Sequence, residues 1–455
     1  MRGTRNTRSA MLFFGIAVLI GPIPRTWAAE PAPVVLPAPN LPRSPAEQAG
    51  PALTLPDLEL IAVANNPTLA QAAAQVDIAR AKALQAGLYP NPTIGYTSEQ
   101  IGIAGTAGEQ QGMFIQQEIV TGGKLRLSRA KYQQEANAAE LQAHAQRLRV
   151  LNSIHIAFYE VLAVQEIIEV HRRLVKNADE AVKTTEELLN VGQANKADLL
   201  QAEIEARRAR VSLKNAETRY RRNWGHLVNM VGEPNLNPRA LIGKLEPEGP
   251  ALDRETSLNH VLLESPEIQF ALAEVRRDQI MVERERKEPI PNIQVQAATG
   301  YNFENRRTTA DVRVGFRIPV FDRNQGTVRQ AQADLARARA EVTRVELTLR
   351  NRWAEAFSRY ESARESAKDF REATLPKAKE AFELYVDAYK KRRAAWPQVL
   401  VAQRTYYQFG EEYVNTLAEL KRAEVEIRGL LLVDGLKAPT GAMPGGHIDA
   451  VPKPR

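Results

Sequence analysis

Apolar and polar positions alternate strictly through Asp311–Phe321: Val312, Val314, Phe316, Ile318 and Val320 fall on one side, and Asp311, Arg313, Gly315, Arg317 and Pro319 on the other. A period of two predicts a strand with one apolar and one polar face. The turn Asp322-Arg323-Asn324-Gln325-Gly326 ends it, and from Thr327 to about Lys391 the apolar spacing becomes helical. The same succession occurs earlier. A strand at Met113–Val120 gives way to Thr121-Gly122-Gly123-Lys124, then to a helix reaching about Asn190.

Each long helix has the same surroundings. A shorter helix precedes the strands, at about Leu55–Tyr89 and Ser257–Lys287, stopped by Pro90-Asn91-Pro92 and Pro289-Ile290-Pro291. Leu58, Ile61, Leu69, Ala73, Val76 and Leu84 are the apolar positions of the first of these, which Asn65-Asn66-Pro67 interrupts near its start. Thr93–Ile103 and Asn292–Phe303 read as the leading strands. Breaks at Val191–Asn195 and Arg392–Trp396 separate the long helices from helices at Lys196–Val231 and Pro397–Val433. This is an internal duplication. Pro67, Pro90, Pro92, Ile94 and Ile119 match Pro266, Pro289, Pro291, Ile293 and Ile318 at an offset of 199, and Asp198-Leu199-Leu200 matches Gln398-Val399-Leu400 at 200.

The expected organisation is therefore a first repeat at 55–234, a Pro-containing linker at 235–256, a second repeat at 257–435 and a tail at 436–455. Before the repeats, three arginines (Arg2, Arg5, Arg8) precede the apolar run Met11–Ile23, with cleavage contexts ending at Ala28 or Ala29. Residues 1–29 read as a secretory signal peptide, and 30–54 as an extended Pro-rich lead-in.

At about 1.5 Å rise per residue, the Gly123–Asn190 helix is roughly 100 Å long, and the two shorter helices of its repeat together match it. One long helix beside two short ones stacked end to end makes a rod. Val150, Ile154, Ala157, Val161, Val164 and Ile168 form a coiled-coil seam. Leu151, Phe158 and Leu162 form a second stripe, so the helix has neighbours on two sides, as in a closed cylinder. The strands suit the ~9–11 residues that cross a bilayer, with Tyr96, Phe114, Tyr301, Phe303 and Phe321 near their ends. Unpaired sheet edges cannot face lipid. Four strands cannot close a barrel, so a membrane-inserted chain must oligomerise. Two copies give a bore filled by side chains, and three can leave a lumen.

The net charge of +7 raises nucleic acid as a partner, but Lys and Arg are interleaved with Asp and Glu, as in Glu283-Arg284-Glu285-Arg286-Lys287-Glu288. That pattern reads as solvated helix faces and not as a nucleic-acid surface. With no Cys, disulfides, thiolate metal sites and a lipidated N-terminal cysteine are excluded. There is no Gly-rich phosphate loop, nucleophile elbow or paired-carboxylate site, so no catalytic, cofactor-binding or metal-binding residues are assigned. His144, His155 and His171 share one helix but are too far apart to share a metal, and His171 continues the seam as a packed residue.

Ala64-Asn65-Asn66-Pro67, Pro90-Asn91-Pro92, Gln117-Glu118-Ile119 with Gly122-Gly123-Lys124, Pro319 through Gly326 and Val399 through Arg404 together carry a family likeness. Over about Leu53 to Gly435 the chain resembles the outer-membrane efflux proteins of the TolC-like family. The Gly-Gly-Lys and Phe-Asp-Arg-Asn-Gln-Gly elements most resemble its heavy-metal branch of CzcC- and CusC-like exit ducts. The resemblance implies a mainly α fold with a small membrane β-barrel, built as a homotrimer of 12 strands and a 12-helix periplasmic tunnel. It implies outer-membrane lipid, a periplasmic adaptor and an inner-membrane resistance-nodulation-division pump as partners, no cofactor, and passive passage, here of heavy-metal cations.

The resemblance also places the helix breaks at a periplasmic, adaptor-docking tip: Gly192, Gln193, Asn195 and Asp198 in one repeat, Arg392, Arg393, Trp396 and Gln398 in the other. Lys390, Lys391, Arg392 and Arg393 make the second break basic, which a solvated helix C-terminus also favours. Arg313 and Arg317 would line the barrel lumen. Gly122, Gly123, Lys124, Asp322, Arg323, Asn324 and Gly326 would form the turns between barrel and tunnel. Two alternatives remain at this point: an exit duct for organic compounds or type I protein secretion, and a soluble periplasmic coiled-coil scaffold.

Overall fold

The computed structural model describes residues 51–99, 109–247, 249–391 and 393–439. The expected signal peptide, most of the Pro-rich lead-in and the tail beyond 439 lie outside the described residues.

The first repeat comprises α1 (Leu55–Asn65), α2 (Pro67–Ala86), β1 (Thr93–Glu99), β2 (Gln110–Ile119), α3 (Lys124–Asn190) and α4 (Lys196–Val231). The second comprises α5 (Arg254–Glu264), α6 (Pro266–Lys287), β3 (Ile293–Asn302), β4 (Arg307–Phe316), α7 (Gln325–Asp369), α8 (Leu375–Lys390) and α9 (Trp396–Arg428). Each leading helix is split by a proline. Asn66 caps α2, accepting from Thr68 N at 2.9 Å, while its Nδ2 donates to the Met230 carbonyl at 2.7 Å. α5 starts at Arg254, ahead of the expected Ser257, because Asp253 caps it by accepting from Thr256 N at 2.9 Å.

α3 is an unbroken helix of 67 residues, roughly 100 Å at about 1.5 Å per residue. Its counterpart is not uniform. α7 and α8 are joined by a π-helical turn at Phe370–Thr374, with Pro376 the second residue of α8. Pro376 lacks the N–H that would reach the carbonyl four residues back, and its ring crowds that turn; the π turn absorbs the mismatch. α9 ends at Arg428, short of the expected Val433. Leu430 and Leu431 adopt left-handed backbone, and the chain turns back onto α3. There Asn152 Nδ2 donates to the carbonyls of Gly429 and Leu432 at 2.8 and 2.6 Å.

The four strands form one antiparallel sheet in the order β1-β2-β3-β4. α3 packs against α2 and α6 in the half nearer the sheet and against α4 and α9 in the other; α7 continues the layer beside α6 and α9. The main core lies midway. The α3 seam (Val150, Ile154, Ala157, Val161, Val164, Ile168) is buried there with Tyr220 and Trp224 of α4, Trp353 and Phe357 of α7, and Leu420 and Ile427 of α9. Residues 235–247 and 249–253 wrap this core. Trp224 Nε1 donates to the Leu236 carbonyl at 3.0 Å, Tyr220 Oη to the Arg239 carbonyl at 3.1 Å, and Leu53 pairs with Leu241.

Candidate channel wall, junction and tip

The register assigns every strand residue to a face. Ile94, Tyr96, Met113, Ile115, Ile119, Val295, Ala297, Tyr301, Val312, Val314 and Phe316 share one face. The other carries Thr97, Glu99, Gln110, Gln116, Glu118, Gln294, Gln296, Asp311 and Arg313. Large apolar side chains on the first face are exposed. The polar face is the concave one. Gln110 Nε2 reaches Thr309 Oγ1 and Asp311 Oδ2, both at 3.1 Å, across the intervening strand, and Arg313 Nη2 lies 3.5 Å from Glu99 Oε1 although β1 and β4 are opposite edges. Glycines allow this curvature: a Cβ on Gly300 would stand 2.6 Å from the Gln111 carbonyl oxygen. Phe114 departs from the expected aromatic girdle. It lies on the polar face, its ring covering Gly95.

Arg313 thus stands on the polar face, but Arg317 is not on a strand. β4 stops at Phe316, not Phe321, because Phe316 pairs with Ile293, the first residue of β3, and Pro291 and Pro289 lie beyond. β4 also begins earlier than expected, at Arg307, and β2 spans Gln110–Ile119. The leading strands are Thr93–Glu99 and Ile293–Asn302; the continuation expected to Ile103 falls outside the described residues.

The two junction turns differ. Gly122 and Gly123 both have left-handed backbone, with φ of 67° and 70°. Lys124 is buried, and its Nζ donates to the Ile290 carbonyl at 2.9 Å. Burial lowers the ammonium from its usual range. In the second turn, Asn324 (φ 59°) holds the left-handed position. Asp322 Oδ1 accepts from Asn324 N at 2.9 Å, an Asx turn, and Asn324 Nδ2 donates to Glu285 Oε2 at 2.7 Å. The Arg323 backbone N–H donates to Gln325 Oε1 at 2.9 Å. Gly326 lies inside the first turn of α7 and not in the loop. Gly123–Lys124 therefore correspond to Asn324–Gln325, an offset of 201, and the correspondence of Ile119 is with Val320 instead of Ile318.

At the far end the two helix breaks sit side by side. Asn195 caps α4, accepting from Asp198 N at 2.8 Å, and Asp198 Oδ2 accepts from Asn195 N at 3.4 Å. Gly192 is left-handed (φ 70°), and Gln193 N donates to the Leu188 carbonyl at 2.7 Å. Arg393 N makes the equivalent bond to Ala388 at 2.7 Å, and Gln398 Oε1 accepts from Ala395 N at 3.0 Å. Arg392 lies outside the described residues. Trp396 is buried, its ring tilted against that of Tyr389 with centroids 4.9 Å apart, and joins Ala202 of α4 in one small core. It fastens the two breaks together and is not itself presented at the surface.

Buried charge is where sequence reading fell short. Arg284 and Glu285, read above as part of a solvated face, are 3% and 2% exposed, with Arg284 Nη1 2.5 Å from Glu285 Oε1. Arg277 is buried between Glu274 and Asp278, its Nη2 2.8 Å from Asp278 Oδ1 and its Nη1 paired with Glu274. Burial pushes the Glu274 carboxyl up to about 7 despite Arg277. The signal was present: Ile268, Ala271, Glu274, Asp278, Met281 and Glu285 fall at steps of three and four, on the same buried stripe of α6. His171 is nearly buried as expected, its Nε2 3.4 Å from Glu411 Oε2.

A curved sheet, apolar outside and polar inside, running directly into a helical wall with open lateral edges, is one segment of a membrane duct. The model of the family "Outer membrane efflux protein" matches residues 61–233 and 257–431, most of the chain, and the chain belongs to that family. It is an efflux channel of the outer membrane reaching into the periplasm, not an enzyme. The cobalt-zinc-cadmium resistance protein CzcC of Cupriavidus metallidurans is 28% identical over 402 residues, 86% of this chain and 92% of that protein. Among solved structures, CusC superposes with a TM-score of 0.71 at 15% identity (88% of this chain, 98% of that one). The outer membrane protein VceC of Vibrio cholerae gives 0.68 at 18% identity (83% and 96%). These two likenesses concern the fold.

Proposed function

We propose that three copies close head to tail into an exit duct of a tripartite efflux system, with a 12-stranded barrel continued by a 12-helix tunnel. One observation carries this reading. Among the described residues, both lateral edges of the chain lack a partner and carry exposed apolar side chains. β1 and β4 are the free sheet edges. Ile78 and Leu84 of α2 and Leu200, Ile204 and Val211 of α4 are exposed on one flank, Leu347 of α7 and Leu384 of α8 on the other. Two unlike flanks join head to tail, which gives a ring where the rotation closes and an open filament where it does not. A barrel in lipid must close, and twelve strands leave a lumen that eight do not. The polar concave face, with Arg313, Gln116 and Gln296, lines that lumen. The helix breaks at Gly192–Asp198 and Arg393–Gln398 form the periplasmic tip, where an adaptor docks and links the duct to an inner-membrane pump. Heavy-metal cations are the substrate class, a reading supported by likeness to a cobalt-zinc-cadmium resistance protein.

Deleting the gene tests the substrate. Loss of tolerance to divalent metals is expected; unchanged metal tolerance with altered tolerance to organic compounds would replace the metal reading.

A further inference from the structure

The internal duplication and one contact inside the chain bear together on the free edges of the sheet. In the first repeat, Gln117, Glu118 and Ile119 extend β2 past the start of β1, and β3 alone pairs them, with Ile119 opposite Ile293. The turn that follows is seated on the second repeat. Thr121 Oγ1 donates to the Pro291 carbonyl at 2.5 Å, Thr121 N to Asn292 Oδ1 at 3.3 Å, and Lys124 Nζ to the Ile290 carbonyl at 2.9 Å. Val120 is consequently buried, at 8% exposure.

Among the described residues, the equivalent stretch of the second repeat has no such seat. Gly123 and Lys124 correspond to Asn324 and Gln325, so Val120 corresponds to Phe321, which is 92% exposed. Ile119 corresponds to Val320 and Gln117 to Ile318, both exposed and outside β4. The surface equivalent to the seat is equally bare. Pro289 and Pro291 correspond to Pro90 and Pro92, beside the free edge of β1, where Leu88, Tyr89 and Ile94 are exposed. Both half-sites lie at the helical end of the sheet.

We infer that the segment Arg317–Gln325 of one copy seats on Tyr89–Ile94 of the next, repeating between copies the joint that Val120–Lys124 makes with Ile290–Asn292 within one. The inference rests on the ring reading above and adds its register. Transferring the β2–β3 pairing through the two offsets sets Val320 opposite Ile94 of the next copy, Ile318 opposite Tyr96 and Phe316 opposite Ser98. β4 then lengthens to match β2. On the polar face, Glu99 falls opposite Gly315, between Arg313 and Arg317. Three apolar side chains gain a neighbour, and the Glu99 carboxylate, which lies 3.5 Å from Arg313 of its own chain, comes to stand beside Arg313 and Arg317 of the adjoining copy.

The absence of cysteine makes the register directly readable. The double variant Val320→Cys with Ile94→Cys, oxidised in isolated outer membranes, is expected to give covalent dimers and trimers on denaturing gels. Val320→Cys with Tyr96→Cys and Ile318→Cys with Ile94→Cys, each displaced by two residues, should cross-link at least several-fold less. Native gels of the same detergent extracts separate the two claims. Trimers without the Val320–Ile94 cross-link, or with a displaced pair cross-linking best, would overturn the joint and leave the ring. Absence of any oligomer in wild-type extracts would overturn both.

Discussion

Glu274 offers a quantitative test of the buried charge network. Its carboxyl pairs with Arg277, yet burial outweighs that attraction and raises the pKa from 4.5 to about 7. The sign follows from which state holds the proton. Below the ordinary pKa of 4.5 the carboxyl is protonated folded or unfolded, and there is no cost. As pH rises the unfolded chain ionises first, so stability falls, and above about 7 the folded group ionises too and the cost is complete. At about 1.4 kcal/mol per pH unit, the difference of some 2.5 units comes to about 3 kcal/mol. Glu274→Gln keeps the shape and removes the ionisation. Denaturant unfolding of the detergent-solubilised protein should find the variant and wild type similar near pH 4.5, with the variant more stable by up to about 3 kcal/mol at pH 8. A gap that does not change with pH, or a variant weaker at pH 8, would refute the burial argument and make the Arg277 pair the dominant effect.

Three further outcomes follow from the packing. Gly300→Val drives a side chain into the Gln111 carbonyl, 2.6 Å from the first added carbon, and should abolish barrel insertion, read as loss from the washed outer membrane. Trp224→Ala removes the largest fully buried side chain among the described residues and its bond to Leu236, and should cost about 3–5 kcal/mol in unfolding experiments. Pro376→Ala restores a backbone N–H at the π turn, so amides at Phe370–Thr374 should exchange more slowly if Pro376 causes that turn; unchanged exchange would assign it to the packing of Phe370 against Phe409 and Tyr413.

The repeated order of elements and the long-helix seam were legible because both are periodic and local. Val150 to Ile168 announced their neighbours, and those positions are buried. The ends of elements were less legible. β4 was read through to Phe321 because its alternation continues there, but a strand exists only where a partner pairs it, and β3 begins at Ile293. Leu84 was read as part of an apolar helix face, yet it is exposed, on the flank that lacks a neighbour within one chain. Arg284 and Glu285 were read by charge pattern as solvated, when position on the α6 stripe was the better guide. Gly192 at the first helix break and the two junction turns were recognisable from residue type. The burial of Trp396 was not, because it depends on α4 and α8 meeting α9.

The proposed duct requires three copies of this chain closed into one barrel in the outer membrane. Carbonate-washed outer membranes, extracted in detergent and measured by native mass, test it most directly. The protein is expected to stay with the washed membrane and to leave it as a particle of three chains. Recovery in the soluble periplasmic extract, as a monomer and without detergent, would contradict it.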